Sequence, residues 1–232
     1  MSWYTIIMII NKDTLIFGSF SKKAGNVGCL FFNTEFKKRD INAIYKSFSV
    51  ESIEQAVSAA KCLKFSGFAV SMPFKIEVIQ YLDLIDASVT KTGACNTVII
   101  RDSKLHGYNT DYKSIIEFIL KYKKPIKFLH ILGNGGYSKT VQACCQELDI
   151  PFNLITRDTW NIIASIHDSI IFNCTPLEKI DINHTNDYID CINTTETGGI
   201  LARRQAEHQL ELYIEWKGVE GDKSGIVVDA RR

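Results

Sequence analysis

Short apolar runs alternate with helical-period segments along this chain, and Lys123-Lys124-Pro125 breaks the alternation into two blocks. Such alternation points to an α/β fold with parallel sheets. In the first block, Thr14–Gly18 reads as a strand, 31–38 as helix and Ala43–Phe48 as a strand. Ser52 with Gln55 three residues on is a capping box, and Ile53, Ala56, Val57, Ala60 and Leu63 then fall on one helical face. Gly67–Ser71 is a short strand. Residues 94–100 and 105–108 read as a hairpin turning near Asp102-Ser103. Thr110 or Asp111 then caps a helix that runs to Tyr122. Pro125 disfavours continuing that helix. Past it come a strand at 128–132, a glycine turn, a helix at 137–148, strands at 152–156 and 169–173, and a last helix at 200–216.

Two such blocks imply two lobes with a cleft, where substrates commonly sit. A length of 232 residues allows each lobe its own core. The formal charge of +1 gives no broad attraction to nucleic acid or to a membrane surface. The apolar run Trp3–Ile10 is too short to span a bilayer and lacks the basic flank of a leader, so a first or edge strand is expected there. Seven cysteines, an odd number with no C-x-x-C spacing, fit reduced thiols in a cytoplasmic protein and no metal site.

Four segments end a strand in polar residues. Gly133-Asn134-Gly135-Gly136 lies between an apolar run and a helix, where N–H groups and a helix dipole can receive a pyrophosphate. The pattern is looser than G-x-G-x-x-G and equally suits a structural turn. The next strand ends Thr156-Arg157-Asp158, at the position that meets an adenosine ribose. An acidic residue there favours NAD and an arginine favours a 2′-phosphate, so both readings stay open, as does a plain surface pair. Ala69–Lys75 places a lysine just past a strand stopped by Pro73, and taken alone Lys75 also suits a solvated surface. Asn96 and Asp111 sit in the remaining two segments, Asp111 with a helix cap as its plain alternative.

The order GFAVSMPFK, GACNTV, GYNTD and then a G-x-G-G turn resembles the shikimate dehydrogenase family. Ile171–Leu177, the Gln205-Ala206 pair and the segment 213–218 resemble its later elements, so the likeness covers residues 13–218. It implies an α/β enzyme of two lobes. Residues 1–110 form an N-terminal substrate-binding catalytic domain and 124–198 a shortened Rossmann-like NADP-binding domain. Helices at 111–122 and 199–217 bridge them, the latter returning to the substrate domain. It implies NADP-dependent interconversion of shikimate and 3-dehydroshikimate, a step toward aromatic amino acids. Quinate or another cyclic hydroxy-acid is one alternative, and a catalytically weak binding or regulatory paralogue another. Carried over by position, Lys75 is the general acid/base and Asp111 its partner. Ser71, Asn96 and Gln205 hydrogen-bond the substrate. Gly133, Asn134, Gly135, Gly136, Thr156, Arg157 and Thr175 hold the cofactor, and Arg157 makes it NADP.

Two departures stand out. The family's carboxylate-binding loop usually reads H-S-x-S-P, and aligned from Gly18 its serine positions fall on Ala24 and Asn26. This loop is closer to that of the shikimate dehydrogenase-like paralogues, and it leaves Ser19, Ser21 and Asn26 to meet a carboxylate. The stretch from Thr175 to Gly198 is also short, which implies a cofactor lobe trimmed by a strand and a helix. That leaves open weaker NADP binding or completion by a second copy in a homodimer.

Overall fold

The computed structural model describes residues 10–215 and the backbone of 228–229. The strand expected at Trp3–Ile10, all but its last residue, and the segment 216–218 lie outside the described residues.

The first block supplies six strands of a seven-stranded sheet, and the seventh comes from the far end of the chain. In chain order come β1 (Leu15–Ser21), α1 (Val27–Lys38), β2 (Ala43–Ser49), α2 (Ile53–Cys62) and β3 (Gly67–Val70). A 3₁₀ turn at Glu77–Tyr81 leads to β4 (Leu84–Ile85) and α3 (Ala87–Thr92). The hairpin β5 (Thr97–Arg101) and β6 (Lys104–Tyr108) follows, then α4 (Thr110–Leu120). The sheet order is β11-β4-β6-β5-β3-β1-β2, where β11 is Val228–Asp229. This sheet is not parallel throughout, as the alternation suggested. β1 runs parallel to β2 and β3, but β5 is antiparallel to both β3 and β6. The cause is local: Asp102 (φ 49°) and Ser103 (φ 62°) both adopt positive φ, the two-residue turn that matches strand twist and folds β6 straight back on β5.

The second block forms a four-stranded parallel sheet, order β10-β9-β7-β8. Its strands are β7 (Leu129–Leu132), β8 (Phe152–Ile155), β9 (Ile170–Asn173) and β10 (Asp187–Asp190), with α5 (Gly136–Glu147) after β7 and a 3₁₀ segment at Arg157–Ser165 after β8. The short stretch after Thr175 therefore keeps a strand, β10, but holds no helix between it and β9. Ile180 and Ile182 from that connection pack with Trp160 and Ile163 over Leu132 and Ile155, closing the face that a helix would otherwise cover. The opposite face buries Leu129, Ile131, Phe172 and Ile189 under α4, α5 and the last helix, α6 (Glu196–Glu215). Fully burying one such aliphatic or aromatic side chain contributes about 1.5–3 kcal/mol, and both sheets are built of them.

Ser52 caps α2 as its sequence implies, accepting a hydrogen bond from the Gln55 N–H at 3.3 Å. The start of α4 differs from expectation. Asn109 occupies the cap position, and Thr110 and Asp111 lie inside the first turn. The Asn109 amide is drawn away from the helix end to Thr92, Ala94 and Thr140, each at 2.9–3.0 Å. No described helix is long and apolar enough to cross a membrane.

Candidate active site

The C-terminal ends of β1, β3 and β6 and the start of β5 share one edge of the first sheet, because β5 alone among them runs antiparallel. That edge carries Ser19 and Ser21, then Ser71 and Lys75, then Asn96, then Asp111. The C-terminal ends of β7, β8 and β9 carry the glycine turn, Thr156-Arg157 and Thr175. The two edges meet. A Cβ placed on Gly136 would lie 3.0 Å from the Lys75 Cβ and 3.5 Å from the Ala94 Cβ, so a side chain there would push against Lys75. The Asn109–Thr140 hydrogen bond (3.0 Å) and the Lys91–Glu147 ion pair (2.7 Å) tie the same faces together.

Lys75 and Asp111, 36 positions apart, are brought into contact: Lys75 Nζ donates to Asp111 Oδ2 at 2.6 Å. Their side chains are 16% and 5% exposed. Water screening is weak in such a place, so the pair is held far more firmly than a surface bridge. Asp111 also sits in the first turn of α4, where the helix dipole favours a negative charge.

Asn96 is 3% exposed, and all its hydrogen-bonding positions are filled. Its Nδ2 donates to Thr110 Oγ1 (3.0 Å) and Gln205 Oε1 (3.2 Å). Its Oδ1 accepts from the Thr110 N–H and the Thr97 hydroxyl, both at 2.8 Å. Gln205 reaches this network from α6 and gives its own N–H to Ala202 O at 3.1 Å. Ser21 is buried, Ser71 is exposed, and Ser19 is half-buried with its hydroxyl against that of Tyr45. Burial pushes the Tyr45 phenol above its ordinary range, so it stays a protonated donor. Asn26 is exposed at the start of α1 and makes no capping bond, and Ala24 donates its backbone N–H to Ser49 Oγ at 3.0 Å.

On the second sheet, Gly133 has φ +94°, a conformation other residues rarely adopt, and a Cβ there would meet the Thr175 methyl at 2.9 Å. A Cβ on Gly135 would meet nothing within 4 Å, so the turn presents open backbone at the start of the 12-residue α5. Asn134 is exposed beside it. Thr175 is held by Asn173, whose Oδ1 accepts from its N–H (2.9 Å) and its hydroxyl (2.7 Å). Thr156 starts the 3₁₀ segment with a reciprocal cap to Thr159. Arg157 is exposed and has no ion-pair partner among the described residues, so the surface pair with Asp158 does not form. Open backbone N–H groups, a helix start and an unpaired guanidinium are the donor set a phosphorylated dinucleotide requires.

Sequence reasoning passed over Tyr137 and Thr140. Tyr137 follows the glycine turn directly, and Lys75 Nζ lies 5.3 Å from its ring centroid. An aromatic residue next to a ligand-type turn was the available signal.

Fold and site together define a two-lobe α/β protein of the Rossmann-like class, with a lysine–aspartate pair packed beside a glycine turn. A family model described as the shikimate dehydrogenase substrate binding domain matches residues 27–98. A shikimate dehydrogenase (NADP(+)) of Clostridium beijerinckii is 34% identical over 197 residues, covering 71% of this chain and 73% of that protein. A shikimate dehydrogenase-like protein of Haemophilus influenzae is 39% identical over 137 residues, 58% of this chain and only 50% of the relative. The solved structure of a shikimate 5-dehydrogenase-like protein superposes with a TM-score of 0.75 at 25% identity, covering 91% of this chain and 96% of that one. The chain belongs to the shikimate dehydrogenase family.

Proposed function

We propose that this chain is an NADP-dependent dehydrogenase acting on shikimate or a close cyclic hydroxy-acid such as quinate. The observation that carries the reading is the largely water-shielded Lys75–Asp111 pair, with Lys75 packed against the glycine turn. Oxidising a secondary alcohol requires the hydroxyl proton to leave as the carbinol hydrogen departs. The Lys75 amine is the group that takes this proton, and in the reverse direction its ammonium returns it to the ketone oxygen. Asp111 orients the amine through the 2.6 Å contact. NADP, when bound, supplies the hydride acceptor. Gly133 to Gly136 and the start of α5 would hold its pyrophosphate, Thr156 and Arg157 its phosphorylated ribose, and Thr175 the wall opposite Gly133.

Gln205 of α6 and Asn96, joined at 3.2 Å, would meet the substrate's hydroxyls, and Ser19, Ser21 and Asn26 its carboxylate. The cofactor choice is supported by the unpaired Arg157 and by the NADP(+) in the name of the Clostridium relative. The free cysteines fit a cytoplasmic setting. One feature favours a second reading, a weakly catalytic binding paralogue: residues 174–186 cover the second sheet without a helix.

The test is the purified protein with NADP or NAD and a panel of cyclic hydroxy-acids, followed at the nicotinamide absorbance. Turnover of shikimate or quinate with NADP supports the dehydrogenase. Binding of these acids without turnover supports the second reading.

A further inference from the structure

We propose that Tyr137 is a positioning residue for Lys75: its ring gives the ammonium a second contact beside Asp111 and restrains its direction. The inference rests on the dehydrogenase reading for its catalytic consequence, but the restraint itself can be measured without turnover. A lysine is a point charge on a flexible four-carbon stem, so one carboxylate contact fixes its distance and leaves its direction loose. A second attractive surface narrows that freedom. Here it is aromatic: Lys75 Nζ lies 5.3 Å from the Tyr137 centroid, within the roughly 6 Å reach of a cation–π contact.

The ring is itself held. It is half-buried in the first turn of α5, against Phe172 at a centroid distance of 6.4 Å. Burial, with the Asp111 charge second, keeps the phenol protonated well beyond its ordinary range, so the ring stays neutral. Its hydroxyl has no hydrogen-bond partner among the described residues, which leaves the ring face as its link to the pair. Because Tyr137 is the residue after Gly136, the turn that would hold the cofactor also places the ring that holds the lysine.

Three variants separate the ring from the hydroxyl and from simple packing: Tyr137→Phe, Tyr137→Leu and Tyr137→Met. With shikimate and NADP, the Phe variant keeps the wild-type kcat. Leu and Met each lower kcat by about 3–10-fold, the scale of a partly desolvated cation–π contact, with KM for NADP unchanged. In parallel, the folded apo protein is treated with trace acetic anhydride and Lys75 acetylation is followed by peptide mass spectrometry. Acetylation relative to the exposed lysines rises severalfold in Leu and Met and stays at the wild-type rate in Phe. A wild-type chain without turnover whose Lys75 acetylation still responds this way supports the restraint and sinks only the dehydrogenase reading. Unchanged acetylation in both Leu and Met overturns the restraint, and so does a Phe variant that loses as much as Leu, since the hydroxyl would then be the acting group.

Discussion

Replacing Asn96 with alanine should cost more stability than any other single polar substitution at the site. Asn96 joins three elements that come from distant parts of the chain: β5, the first turn of α4 and α6. Its removal strands the Thr110 N–H, a helix-start donor in a residue 5% exposed. The Thr97 hydroxyl loses its close acceptor and keeps a long contact of 3.4 Å to the Thr110 hydroxyl, while Gln209 Nε2 still donates to it at 2.7 Å. Gln205 Oε1 keeps only a long contact of 3.4 Å from the Thr110 hydroxyl. Each buried group left unpaired costs about 1–3 kcal/mol, and because the three share one network we expect a combined loss of about 2–4 kcal/mol. For a chain of this size that lowers Tm by roughly 5–15 °C. The assay is thermal and urea unfolding of Asn96→Ala beside Asn96→Asp. The aspartate keeps the acceptor for Thr110 and Thr97, so it should lose less. An alanine variant within about 0.5 kcal/mol of wild type, the range of neutral surface changes, would refute the view that this network anchors the start of α4 and with it Asp111.

Three further outcomes follow from the cofactor and substrate edges. Arg157→Ala should weaken NADP binding about 10-fold or more, the worth of one charge-assisted contact, and leave NAD binding unchanged; equal loss for both cofactors by titration would place the 2′-phosphate elsewhere. Gly133→Ala should raise the NADP dissociation constant and lower Tm, because a residue at φ +94° is strained and its Cβ meets Thr175 at 2.9 Å; unchanged values would show that the turn yields freely. Ala24→Ser/Asn26→Ser should lower the Michaelis constant for shikimate about 10-fold by restoring one hydroxyl contact to a carboxylate. No gain in steady-state kinetics would mean that Ser19 or Ser21 already serves it.

Much of the fold is legible because its cues are local. The capping Ser52, the positive-φ pair Asp102-Ser103 and the glycine turn each act over a few residues, and each forms in the structure. The hairpin of β5 and β6 is among these local cues, but what sequence periodicity does not carry is which strand such a hairpin joins, so the antiparallel pairing of β5 with β3 is not legible. Elements too short to show a period were also missed. α3 spans six residues, although Asp86 caps it and Gly93 ends it at φ 60°. β10 hides because only Ile189 and Asp190 of its four residues are buried. At the site, Lys75 and Asp111 were each ambiguous alone, a surface lysine and a helix cap. Only the sheet edge brings them together, and the true cap position belongs to Asn109.

The central claim is that Lys75 moves the proton, and the turnover of Lys75→Ala with shikimate and NADP tests it most directly. The variant should fold, bind NADP as wild type does, and lose about 10²-fold or more in kcat, the scale of general acid–base catalysis. A folded Lys75→Ala protein that turns over at the wild-type rate would contradict the account.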